Sequence, residues 1–101
     1  MKGSYMMEIA EFQKLMFDLY AHNDKRRGPA ATMLWLVEEV GELAEAVRRD
    51  DLENLREELA DCFAWVGALA NLYGIDLEAA FLEKYPNHCP TCGRKPCICT
   101  D

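Results

Sequence analysis

Two stretches of this chain carry nearly the same phrase, and the repeat limits what the chain can fold into. Trp35-Leu36-Val37-Glu38-Glu39-Val40-Gly41-Glu42 is answered nineteen residues on by Asn54-Leu55-Arg56-Glu57-Glu58-Leu59-Ala60-Asp61. Each reads as an amphipathic helix when residues are stepped at about 100°. With Val40 at the centre of the first apolar stripe, Met33, Leu36, Val37, Leu43, Ala44 and Val47 gather round it. With Leu59 at the centre of the second, Leu52, Leu55, Phe63, Val66 and Ala70 do the same, and Cys62 lies at the edge. Glu39 and Glu58 then fall roughly 100° to one side of their stripes, with Glu42 and Asp61 about 60° further round. The two pairs flank their stripes with the same hand.

Equal hand has a geometric result. Facing antiparallel helices are related by a two-fold axis perpendicular to both, so equal offsets arrive on the same side of a hairpin. The polar break Arg48-Arg49-Asp50-Asp51 supplies the turn. It is centred near position 50, which is also the midpoint of Glu42 and Glu58, of Glu39 and Asp61, and of Trp35 and Trp65. Four carboxylates are expected at one level and two indoles at another. Gathered acids repel unless cations neutralise them, and carboxylate oxygen suits Mg²⁺ or Mn²⁺. The competing readings are a solvated charged face and an acidic surface for a basic partner. Glu38 lies beyond Glu42 on its wheel and reads as a support, or as a base that positions water. For Trp35 and Trp65 the readings are core packing, a dimer interface, or stacking on a nucleobase, worth ~1–3 kcal/mol per base.

The spacing Glu38-Glu39-x-x-Glu42, fifteen residues, then Glu58-x-x-Asp61 resembles the signature of the MazG-like all-α nucleoside triphosphate pyrophosphohydrolases. The resemblance covers about residues 8–85. It implies Mg²⁺-dependent cleavage of a (deoxy)nucleoside triphosphate between the α and β phosphates, with Glu39, Glu42, Glu58 and Asp61 on the metal and Glu38 or Glu39 taking the water's proton. Members of that family carry a phosphate-contacting lysine after the hairpin, followed by Asn and often Arg. Lys84 matches it and Asn87 follows at three residues, before the pattern gives way to a cysteine-rich tail. Related all-α enzymes act on phosphoribosyl-ATP or dUTP. Outside enzymes, the alternative is a zinc-stapled helical interaction module.

The rest of the chain is read from pattern. Ile9, Phe12, Met16 and Leu19 predict a flanking helix over 8–20, and Ala21–Gly28 reads as a polar loop. Its cluster Lys25, Arg26 and Arg27 is either solvated or reaches triphosphate oxygens. Pro29 suits a helix start, giving a second helix over 29–49, in which Gly41 points to close helix approach beside the acids. Asp50, with Glu53 as capping-box partner, or Asp51 caps a third helix that stops at Gly74. Asp76 caps a short fourth, Leu77 to about Lys84. The expected fold is therefore all-α: a helical hairpin with two flanking helices over 1–85, completed as a dimer or tetramer because so short a chain buries limited surface.

Residues 86–101 form a separate tail with four of the five cysteines. Cys89-x-x-Cys92 and Cys97-x-Cys99 suit a structural Zn²⁺ site, with His88 as a substitute ligand. A disordered or oxidised tail and a redox dithiol are the other readings. A net charge of −7 argues against a nucleic-acid polymer as partner. The N-terminus lacks a signal-peptide layout and no apolar run could span a bilayer, so no membrane is expected and a cytoplasmic location is.

Overall fold

A computed structural model describes residues 6–100. It is all-α: α1 Ile9–Arg27, α2 Pro29–Arg49, α3 Leu52–Leu72 and α4 Leu77–Lys84. The N-terminal residues read for a leader lie mostly outside the described range.

α2 and α3 form the hairpin. Asp50 takes the left-handed conformation that ends α2, at φ 55°. Asp51 caps α3, accepting a hydrogen bond from the Asn54 amide at 3.2 Å. The capping-box alternative from Asp50 to Glu53 is not the one used, because Asp50 is consumed in closing α2. α1 lies across α3 and touches α2 less, while α4 packs on α1.

α1 extends a full two turns beyond the expected Tyr20, so Lys25, Arg26 and Arg27 form its last turn rather than a loop. Cations there complement the helix dipole. Asn23 and Asp24, which read as loop formers, are retained because each accepts a hydrogen bond three residues on, from Arg26 at 2.7 Å and Arg27 at 2.9 Å.

The close crossing is also not where the sequence suggested. Nothing approaches Gly41 within 4 Å, whereas a Cβ on Gly67 would stand 2.7 Å from Phe12 Cζ. Phe12 fills that notch and stacks on Phe63 with ring centroids 4.1 Å apart. Gly67 therefore seats α1 on α3. One residue on from Phe12, Gln13 ties the α3–α4 turn. Its Nε2 donates to Asn71 Oδ1 at 3.0 Å and to the Ile75 carbonyl at 2.7 Å, and its Oε1 accepts from the Leu77 amide at 2.9 Å.

Val40 and Leu59, at the centres of the two apolar stripes, are 49% and 53% exposed. Met33, Leu36, Val37, Val40, Leu59, Cys62, Phe63 and Val66 line an open groove of about 480 Å³. α1 covers the hairpin on another side, so among the described residues nothing covers this face.

Candidate active site

The side that α1 helps to cover is the acidic one. Glu39, Glu58 and Asp61 each offer an oxygen, all within 4.8 Å of one another. They come from facing turns of α2 and α3, as equal offsets about the hairpin axis require. Glu42 stands outside that trio yet close enough to act on Glu58. Glu58 is only 7% exposed. Its carboxyl is pushed up to about 7, first by the neighbouring Glu39 carboxyl, then by burial, then by Glu42. Glu39 Oε1 and Glu58 Oε1 are both buried without a hydrogen-bond partner. Buried carboxylate oxygens that lack donors are costly, and a divalent cation is the partner this donor set fits. Cys62 sits beside the same acids, and burial followed by Glu39, Glu58 and Asp61 raises its thiol above the usual range.

Next to the acids lies a cleft of about 340 Å³, whose walls include Asp61, Trp65, Asn23, Asp24 and Arg27. Trp35 and Trp65 stack with centroids 6.2 Å apart and planes 8° from parallel. The Arg27 guanidinium lies 4.8 Å from the Trp65 ring centre. Arg27 is fixed there by Asp24 at 2.9 Å and by Thr32 Oγ1 at 3.4 Å. Both anchors are inside the protein, Asp24 at 3% exposure and Thr32 at 0%. Asp24 Oδ2 is left buried and unpaired.

The basic cluster thus divides. Arg27 faces the indoles, Arg26 pairs with Asn23, and the Lys25 ammonium lies 5.9 Å from the Phe17 ring centre. Glu38 is exposed and lies outside the carboxylate trio. Lys84 is in the last turn of α4 with its ammonium 6.0 Å from the Tyr85 ring centre. Reading the sequence missed Asp24 and Thr32. The signal available was an Asp three residues before Arg27 on a helix that had to be read past Tyr20.

The sequence model of the MazG nucleotide pyrophosphohydrolase domain matches residues 27–93. The chain belongs to this family. The matched MazG segment takes in the whole hairpin, α4, and the first two tail cysteines. The chain is also similar to an uncharacterized protein, YvdC, of Bacillus subtilis (strain 168), at 33% identity over 71% of this chain and 84% of that protein. The MazG assignment agrees with an all-α architecture. Among the described residues no helix is long and apolar enough to cross a membrane.

In the tail, the Sγ atoms of Cys89, Cys92, Cys97 and Cys99 also gather within 4.8 Å of one another. His88 is exposed and not among them. The amides of Cys92 and Thr91 lower the Cys89 thiol to about 6, and those of Ile98 and Arg94 lower Cys92.

Proposed function

We propose that this chain hydrolyses (deoxy)nucleoside triphosphates to the monophosphate and pyrophosphate with Mg²⁺ or Mn²⁺ as cofactor. The observation that supports this most is the pair of buried, partnerless oxygens on Glu39 and Glu58 beside Asp61. In this reading Glu39, Glu58 and Asp61 hold the cation, with Glu42 completing the set. When bound, the ion would polarise phosphate oxygens and lower the pKa of the attacking water.

The protein's own groups then have separate tasks. Glu38, outside the trio, or Glu39 takes the water's proton. Arg27, locked by Asp24 and Thr32, presents a fixed cation beside the indoles. The cleft against Trp65 accommodates the nucleoside, with Trp35 extending the aromatic wall. Lys84, Lys25 and Arg26 are candidates for the outer phosphates, approached from outside the cleft. The five thiols are free, which suits a reducing compartment such as the cytoplasm.

The same reading includes self-association. The open groove around Val40 and Leu59 is apolar across eight side chains, and such a face is unfavourable in water. A second copy can meet this face with its own in a closed two-fold dimer.

The decisive experiment is a panel of ribo- and deoxynucleoside triphosphates, with phosphoribosyl-ATP included, incubated with Mg²⁺ and assayed for pyrophosphate. Release that disappears in Asp61→Asn, with helicity unchanged by circular dichroism, supports the proposal. No release from any member of the panel, or release indifferent to Asp61→Asn, would overturn it.

A further inference from the structure

The cysteine tail belongs to no step of that reaction, and its geometry points elsewhere. No residue from 86 to 100 is buried, and the segment contains neither helix nor strand. Its one large aliphatic side chain, Ile98, is 63% exposed. A segment without a core has no hydrophobic reason to adopt one conformation. Yet it closes on itself around sulfur. The most enclosed residues in it are Cys89 and Cys92, and all four thiols are free.

The turns are those of a metal knuckle. Cys89 to Arg94 is a closed loop, with the Gly93 amide on the Cys89 carbonyl at 2.8 Å and the Cys89 amide on the Arg94 carbonyl at 3.0 Å. Gly93 has φ +73°, a conformation that a side chain would strain. Backbone amides aim at sulfur throughout: Thr91 at Cys89, 3.4 Å; Ile98 at Cys92, 3.5 Å; Cys99 at Cys97, 3.2 Å. Such donors stabilise thiolate charge around a metal. With Zn–S bonds of about 2.3 Å, the edge of a tetrahedron of sulfurs is about 3.8 Å. Cys89 Sγ and Cys99 Sγ stand 3.8 Å apart. The short link Gly93-Arg94-Lys95-Pro96 therefore does not keep the two halves from meeting. It also places two cations beside a centre that would carry net negative charge, and Lys95 is held by Asn87 at 2.6 Å.

We infer that Cys89, Cys92, Cys97 and Cys99 bind one structural Zn²⁺ per chain, and that this ion, rather than side-chain packing, orders residues 86–100. Four protein sulfurs leave no open position, so the site is structural and not catalytic. Iron is the other metal that accepts four thiolates in this geometry. The inference does not depend on the proposed hydrolysis, because its readouts are metal content and tail order.

The test uses the full chain, purified reducing and without chelator. Elemental analysis is expected to give one zinc per chain. Replacing zinc with Co²⁺ is expected to give the intense red-region bands and thiolate charge transfer of tetrahedral cobalt. Both signals should vanish in Cys97→Ser and persist in Cys62→Ser. Cobalt held by the carboxylates would be pale and without charge transfer, so the two centres cannot be confused. Removing the zinc with a mercurial and then a chelator should expose residues 86–100 to protease while helicity is kept. Iron in place of zinc, four tail thiols fully reactive in the metal-free isolated protein, or cobalt bands that survive Cys97→Ser would each overturn the assignment.

Discussion

Glu39, Glu58 and Asp61 are held by two helices of 21 residues each, whereas Cys89, Cys92, Cys97 and Cys99 lie on a segment with no helix at all. Both clusters bring their ligand atoms within the same 4.8 Å. The difference lies in what brings them there. The carboxylates converge because the hairpin and α1 fold around them, so repulsion is imposed and the Glu58 carboxyl is pushed up. The thiols converge with no core to impose anything. A cluster assembled by packing can leave room for a substrate and exchange its cation. A cluster that is itself the local fold has to close its ion in.

That contrast can be broken most severely at Glu58. Glu58→Gln is expected to lower pyrophosphate release by about 10²-fold or more, as loss of one well-placed transition-state contact does, while helicity and zinc content stay as they are. A matching loss of zinc would show that the two clusters are not separately built.

A milder cut is made at the seat of α1. Gly67→Val drives a methyl into Phe12 and should cost about 1–3 kcal/mol in denaturant unfolding. It should weaken activity through Arg27 and Asp24, leaving cobalt spectra of the tail unchanged. Removing the neighbouring clamp, Gln13→Ala, leaves the Leu77 amide without its acceptor. The expected cost is about 1–2 kcal/mol, with faster hydrogen exchange confined to the α3–α4 turn.

The gentlest probe is pH. Folding raises the Glu58 carboxyl from 4.5 to about 7, so the folded chain keeps a proton that the unfolded chain releases. The stability this contributes is full below about pH 4.5 and is lost as pH rises through about 7. Metal-free protein should therefore show a falling Tm across that window, and Mg²⁺ should raise Tm chiefly at its upper end. A flat profile would mean that Glu58 does not share its site with Glu39 and Glu42.

Much of the hairpin was legible in the chain. Helix periodicity and the turn at Asp50–Asp51 are local, and the equal offsets of Glu39, Glu58 and Asp61 from their stripes need only the geometry of two antiparallel helices. The stacking of Trp35 on Trp65 followed from the same symmetry. The length of α1 was not legible, because Asn23 and Asp24 look like loop formers until Arg26 and Arg27 are seen to engage them. Nor could pattern show that Gly67, and not Gly41, marks the close crossing, since both glycines sit in helical surroundings.

The sequence by itself determined an all-α hairpin with its acids on one side and an apolar stripe beside them, because those properties depend on residues a few turns apart. Only the tertiary structure decided which side of the hairpin α1 covers. It put Phe12 into the notch at Gly67, Arg27 over Trp65 and Asp24 inside, while the Val40–Leu59 face stayed open. Those outcomes turn on how segments far apart in the chain cross, and a crossing is set by the shapes that meet there rather than by the period of either helix.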